Sequence, residues 1–334
     1  MKGALLKILS VFAAGCMSAN ADVTLTIIPT FDSSITSDPN AATIENSINA
    51  DIATIDSYIA NNVTVNITFQ ETSSGLGGSS SYIYSPTYAD YYTALQHQTL
   101  SAYDTTAIAS LPNQANNPVN GNGSITSVGP LLRALGFTAN PPGSYDTTIS
   151  LNTSIMNISR SGAQNPSFYD LQAVAMHEID EALGIGGTGS ALGGGTTGPV
   201  GPLDLFRYSS PGVRSYAQGT GIAPYFSING GVVSLRAFNQ AGGGSDYGDW
   251  GNGVTPAQSA GNTPANVQDA FGTPGSQPDL NGVELEALDV IGYDLTPAGT
   301  ALEAVPETGG SLALMCVGLI VVVAGYHKRT RKTG

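Results

Sequence analysis

Apolar residues along this chain fall into a few clear periods. Ile44, Ile48, Ile52, Ile55 and Ile59 recur at intervals of four, four, three and four. That spacing puts them on one stripe of a helix over residues 40–60. Residues 63–69, Val-Thr-Val-Asn-Ile-Thr-Phe, alternate strictly and predict a half-buried strand. Residues 75–81 are glycine and serine around Leu76, the composition of a loop. Short helices are expected over 88–100, over 105–111 before Pro112, and over 130–136. Residues 113–129 read as turns, and 146–151 as a second strand.

The next helical period, over 168–183, carries Leu171, Val174, Ala175, Ile179 and Ala182 on one side. Asp170 suits its start and Gly184 its stop. Residues 186–201 are nearly all Gly, Thr and Ser, which predicts a mobile loop. Short strands and turns are expected over 203–249, and irregular chain over 252–278. Asn281 followed by Glu284 reads as a capping box before a short buried helix with Leu285, Leu288 and Ile291. Residues 297–304 read as a linker. No internal repeat is visible.

The two ends have a different pattern. Residues 1–21 combine Lys2 and Lys7, an apolar run and Ala19-Asn20-Ala21, the form of a secretory signal peptide. Near the other end, residues 311–326 are apolar and are followed by Lys328, Arg329, Arg331 and Lys332. Sixteen residues fall short of the ~20 of a comfortable span, and the basic cluster holds that end in the cytoplasm. Val305-Pro306-Glu307-Thr308-Gly309 resembles the sortase motif, which begins with Leu, and the C-terminal exosortase signals of Gram-negative bacteria. That resemblance implies a sorting signal over 305–334, with a transmembrane segment at 311–326 and a sorting transpeptidase as partner. The expected destination is secretion and then the cell envelope.

Charge changes the picture once those ends are set aside. Residues 22–305 hold five arginines and no lysine against 24 acidic residues, a net charge of −19. Nucleic acid is excluded as a partner, since its phosphates demand Lys and Arg. Many carboxylates remain that could hold calcium. Cys16 and Cys316 both lie in the ends, so the domain between them has no disulfide.

The candidate chemistry sits on the 168–183 helix, within Met176-His177-Glu178-Ile179-Asp180-Glu181. Residues four apart share a helix face, so His177 and Glu181 can point at one ion. Glu178 lies beside them, placed to take a proton from a water that the ion makes acidic. Zinc accepts His nitrogen and carboxylate oxygen, although the carboxylate widens the choice of metal. Only His97 and His327 remain as other histidines, and neither has ligand spacing; His97 reads as a solvated surface residue. The third ligand is therefore expected to be a carboxylate. Asp204, flanked by Leu203 and Leu205, is the first choice, with Arg207 or a helix end as its rival partner. Asp180 reads as exposed helix charge. Asp246 and Asp249, beside Trp250, could hold calcium or cap a turn. Tyr208 and Tyr247 are weak choices for steadying an oxyanion.

The run Asp170-Leu-Gln-Ala-Val-Ala-Met-His-Glu-Ile-Asp-Glu-Ala-Leu-Gly184 resembles the active-site helix of the metzincin metalloproteases, and residues 146–151 resemble the substrate-pairing edge strand that precedes it there. With Asp204-Leu-Phe-Arg-Tyr-Ser-Ser-Pro-Gly212, Asp246-Tyr-Gly-Asp-Trp250 and Asp269-Ala-Phe-Gly272, the chain over 24–296 resembles a bacterial family of secreted metalloproteases with a HExxExxG helix. The resemblance implies an α+β, metzincin-like domain over 22–296, with a mixed sheet and an active-site helix. It also implies that Glu181 is the family's own residue. Two departures stand out: the metzincin third-ligand position is Gly187, and after Met176 the next methionine is Met315, so no Met turn follows.

The expectation is thus a secreted, surface-sorted, zinc-dependent endopeptidase acting on proteins or peptides. Glu178 would be its general base, and His177, Glu181 and Asp204 its metal ligands. The alternatives are a non-catalytic adhesion or structural protein on the same scaffold, and a metal-free glycan hydrolase using paired carboxylates.

Overall fold

The structure, a computed structural model, describes residues 24–192, 197–217, 224–241, 246–251 and 265–304. The expected signal peptide, sorting motif and apolar segment 311–326 lie outside these residues. Among the described residues no helix is long and apolar enough to cross a membrane.

The domain is α+β with a mixed sheet. The first strand, β1 (Thr26–Phe31), is followed by a helical turn, α1 (Ser33–Thr36), and the long helix α2 (Ala41–Tyr58). In α2, Ile44, Ile48, Ile52 and Ile55 are all buried, which is the stripe the spacing predicts. Each such side chain contributes roughly 1.5–3 kcal/mol on burial. The strand β2 (Thr64–Glu71) runs parallel to β1 and buries Val65, Ile67 and Phe69.

Next comes β3 (Gly77–Ser81), on residues whose composition reads as a loop. It pairs antiparallel with a later strand in the register Gly77↔Leu151 to Ser81↔Thr147. The ladder supplies the hydrogen bonds that glycine and serine need and does not ask for apolar alternation. A two-stranded pairing of β4 (Ile83–Tyr84) with β5 (Ser127–Val128) brackets the helices α3 (Tyr88–Leu95) and α4 (Ala102–Ala109). After α5 (Gly129–Ala134), strand β6 (Thr147–Leu151) enters the sheet between β2 and β3, giving the order β1-β2-β6-β3. Residues 147–151 are therefore an inner strand, not an edge. The edge beside the later site is β3.

Two short strands, β7 (Met156–Asn157) and β8 (Tyr169–Asp170), pair in parallel and lead into helix α6 (Leu171–Leu183). Asp170 caps its start, accepting from the Ala173 amide, and Gly184 ends it with φ +110. Only glycine takes that left-handed conformation without strain. Helix α6 packs on α2 and beneath β3 and β6.

Beyond α6, a turn of helix, α7 (Gly186–Gly189), opens the glycine-rich stretch. A 3-10 turn at Leu203–Phe206 follows, and then a small antiparallel sheet of β9 (Arg207–Ser210), β10 (Val213–Arg214), β11 (Tyr225–Phe226) and β12 (Arg236–Ala237). Its core is a ring cluster: Phe226 lies 5.8 Å from Trp250, and Phe238 lies 5.2 Å from Trp250. The buried Arg207 guanidinium stacks 4.5 Å over Phe238. Helix α8 (Gly282–Ile291) starts in the predicted capping box of Asn281 and Glu284. Residues expected as a linker form a last helix, α9 (Pro297–Glu303), capped by Thr296 and packed on α8 and α2. Proline is favoured at such a helix start, where no backbone N–H is needed.

Candidate metal centre

The cleft between β3 and the 265–278 segment has a volume of about 580 Å³ and is lined by His177, Glu178 and Glu181 from α6. Asp246 and Asp249 close one side, and among the described residues no Lys or Arg lines it. Among the described residues, one group of side chains has metal-ligand geometry: His177, Glu181 and Asp249, each offering an atom within 4.8 Å of the others. His177 Nε2 lies 3.7 Å from Glu181 Oε1 and 3.9 Å from Asp249 Oδ2.

Each of the three is held by neighbours. His177 Nδ1 faces the Val267 carbonyl at 2.9 Å and donates its proton there. That fixes the ring orientation and leaves Nε2 turned to the carboxylates. Glu181 Oε2 accepts from Ser79 Oγ of β3 at 2.6 Å, and Oε1 accepts from the Gly187 amide at 2.9 Å. Gly187 cannot ligate, yet it orients a ligand. A Cβ there would come within 2.4 Å of Glu181 Oε1, so only glycine fits beneath that carboxylate. Asp249 is carried beside Trp250, whose backbone bridges to Phe238 and Asp269.

The electrostatics are those of a crowded anionic pocket. Burial alone would lower the His177 pKa, but the charges of Asp249, Glu181 and Glu178 outweigh it and hold it well above its ordinary value. Glu178 is 5% exposed; burial first, and then the neighbouring carboxylates, raises it well above the usual range. Asp249 is raised by burial too. Glu181 goes the other way, because hydrogen bonds from His177, Ser79 and Gly187 overcome the cost of its burial. Glu178 Oε2 and Gln268 Oε1 are buried with no hydrogen-bond partner among the described residues. A soft nitrogen, two carboxylate oxygens, unbalanced negative charge and orphaned oxygens fit a divalent cation.

The predicted residues divide as follows. His177, Glu178 and Glu181 meet in one cleft. Asp204 is not brought to them. It is 1% exposed, as its leucine neighbours foretell, but its oxygens accept from Ser190 Oγ at 2.6 Å and from the Ala191 and Gly201 amides at 2.9 and 2.8 Å. It thus ties the two ends of the glycine-rich stretch together. Asp249 occupies the place expected for Asp204. Asp180, expected as exposed charge, is fully buried with both oxygens unpartnered. Its desolvation keeps it protonated well above the usual carboxylate range. His97 is exposed, with Nδ1 against the Thr93 carbonyl. Neither Tyr208 nor Tyr247 lines the cleft. Against known proteins, no family model, no curated protein and no solved structure matches the chain.

Proposed function

We propose that the chain is a metal-dependent endopeptidase, secreted and then sorted to the cell envelope. The observation that carries this reading is the convergence of His177, Glu181 and Asp249 within 4.8 Å, with Glu178 beside them in an open cleft. His177 through Nε2, Glu181 and Asp249 would hold the cation, with zinc the first expectation and calcium the second. When bound, zinc supplies Lewis acidity, which polarises a carbonyl and lets water ionise near neutral pH.

The chain's own residues do the rest. Glu178 takes a proton from the attacking water on a carboxylate oxygen as the water oxygen bonds to the peptide carbon. It then delivers that proton to the leaving amide nitrogen as the C–N bond breaks, giving a carboxylate and an amine. Burial raises its pKa, which makes it a stronger base than a solvated carboxylate. The substrate class follows from β3, which ends the order of its sheet. Its outer edge offers backbone hydrogen bonds to an extended peptide lying across the cleft. A helix carrying the base beneath an antiparallel edge strand supports a metzincin-like arrangement, with β3 in the edge role.

The second reading is a non-catalytic surface protein on the same scaffold. It is favoured by Gln268, whose amide nitrogen donates to Asp249 Oδ1 at 3.0 Å and lies 3.2 Å from His177 Nε2, so that protein atoms already fill the space beside both. Peptide cleavage by the purified full chain decides between them. Cleavage that a chelator stops, that zinc restores and that Glu178→Ala lacks supports the enzyme. Bound metal without cleavage of any peptide in a broad library supports the surface protein.

A further inference from the structure

Gln268 is a polar side chain of this centre that the sequence does not mark. It is 0% exposed. Its backbone is pinned on both sides: its amide donates to Glu284 Oε1 at 2.8 Å, and its carbonyl accepts from the Trp250 amide at 2.9 Å. Gly186 closes over its head, since a Cβ there would fall 2.1 Å from the Gln268 amide nitrogen.

The head atom of Gln268 lies 3.2 Å from His177 Nε2 and 3.0 Å from Asp249 Oδ1. These are close to the ~3.4 Å that separates two donors on one small cation with bonds near 2.1 Å. A cation on His177 Nε2 takes up its lone pair, so an amide N–H facing Nε2 has no acceptor there, although Asp249 Oδ1 can still accept when Oδ2 is the ligand. The partial positive charge of that N–H would then face a dication. A half-turn about the last side-chain bond exchanges the amide nitrogen for Oε1, the oxygen that is buried without a partner.

We infer that Gln268 is a fourth protein donor to the cation, through its side-chain carbonyl oxygen, beside His177, Glu181 and Asp249. This rests on the metal reading of the same centre. The donor set becomes one nitrogen and three oxygens, harder than a zinc site of histidines. With four protein donors, a position for water remains only on an ion that takes five or more ligands. Gln268 thereby serves two states: its amide nitrogen donates to Asp249 beside His177 without an ion, and its oxygen joins them on one.

The test is metal affinity of the full chain, by competition with a chromogenic chelator, for wild type, Gln268→Leu and Gln268→Glu, using zinc and manganese as probes. X-ray absorption on the zinc-loaded proteins counts the nearest N/O atoms. The expected result is affinity about 10- to 100-fold weaker in Gln268→Leu, affinity equal to or above wild type in Gln268→Glu, and one fewer near neighbour in the Leu variant. The inference is overturned alone if wild type binds metal and Gln268→Leu binds equally well with the same shell. It is also overturned alone if Gln268→Glu weakens binding as the Leu variant does, because the N–H groups would then matter and not the oxygen. Should wild type bind neither metal, the metal reading falls with it. The Glu variant keeps the test decisive if the Leu variant fails to fold.

Discussion

Gly77 lies over Glu178: a Cβ on Gly77 would sit 2.6 Å from Glu178 Oε1 and 2.8 Å from Val174 Cγ1. The edge strand can pass this close to Glu178 only because residue 77 has no side chain. Gly77→Ala therefore pushes the Glu178 carboxylate aside without breaking the ladder to Leu151. Peptide cleavage is expected to fall about 10- to 100-fold, in line with misplacing a catalytic group by an ångström, while metal content is unchanged. Equal kinetics in the Ala variant would show that Glu178 needs no such fit.

Glu178 itself separates binding from chemistry. Glu178→Gln keeps the shape but cannot accept the proton. Cleavage should drop about 10²- to 10⁴-fold with the metal retained, since Glu178 is outside the ligand group. Loss of metal in this variant would make Glu178 a ligand and remove it as the base.

Asp204 gives the contrasting case. Asp204→Ala strands the buried Gly201 amide and the half-buried Ser190 Oγ and Ala191 amide. A loss of about 3 kcal/mol in unfolding free energy is expected, measured by urea titration, with metal content intact. Asp249→Ala should do the reverse, abolishing metal binding at a smaller cost in stability. If both variants lose metal equally, the division of roles between them is wrong.

A pH dependence follows from the acids where α4, α8 and α9 meet. Glu303 donates to Asp289, which also accepts from Ser101 Oγ at 2.6 Å. Burial pushes Asp289 up to about 7, Glu286 to about 8 and Glu303 to about 9. Their unfolded values are near 4. A folded value above the unfolded one means the contribution to stability is whole below pH 4 and lost as pH climbs through 7 to 9. The thermal midpoint should therefore fall between pH 5 and pH 9, and Asp289→Asn should flatten that fall. A variant curve parallel to wild type would contradict the assignment.

The motif helix was legible because its information is local. A 3.6 period, Asp170 before it and Gly184 after it fix both ends, and the four-residue spacing of His177 and Glu181 fixes their shared face. The long α2 stripe and the Asn281–Glu284 box are legible for the same reason. β3 was hidden because Gly77–Ser81 has no apolar residue to alternate; its strand character comes from pairing with β6, a neighbour 70 residues away in sequence. Asp204 and Asp249 show what the local sequence does not carry. Flanking leucines do foretell burial, but a buried carboxylate can be satisfied by loop amides as well as by an ion. Asp249, between Gly248 and Trp250, has the local look of a turn, and only the tertiary fold brings it to His177. Gln268 carries no local signal at all.

The central claim is that His177, Glu181 and Asp249 hold one metal ion. Metal content by mass spectrometry on the purified chain, beside Glu181→Ala and Asp249→Ala, tests it directly. The account predicts about one equivalent in wild type, as expected for one site with three protein ligands, and loss from both variants. No metal retained by wild type after gentle purification and zinc addition, or full retention in both variants, would contradict it.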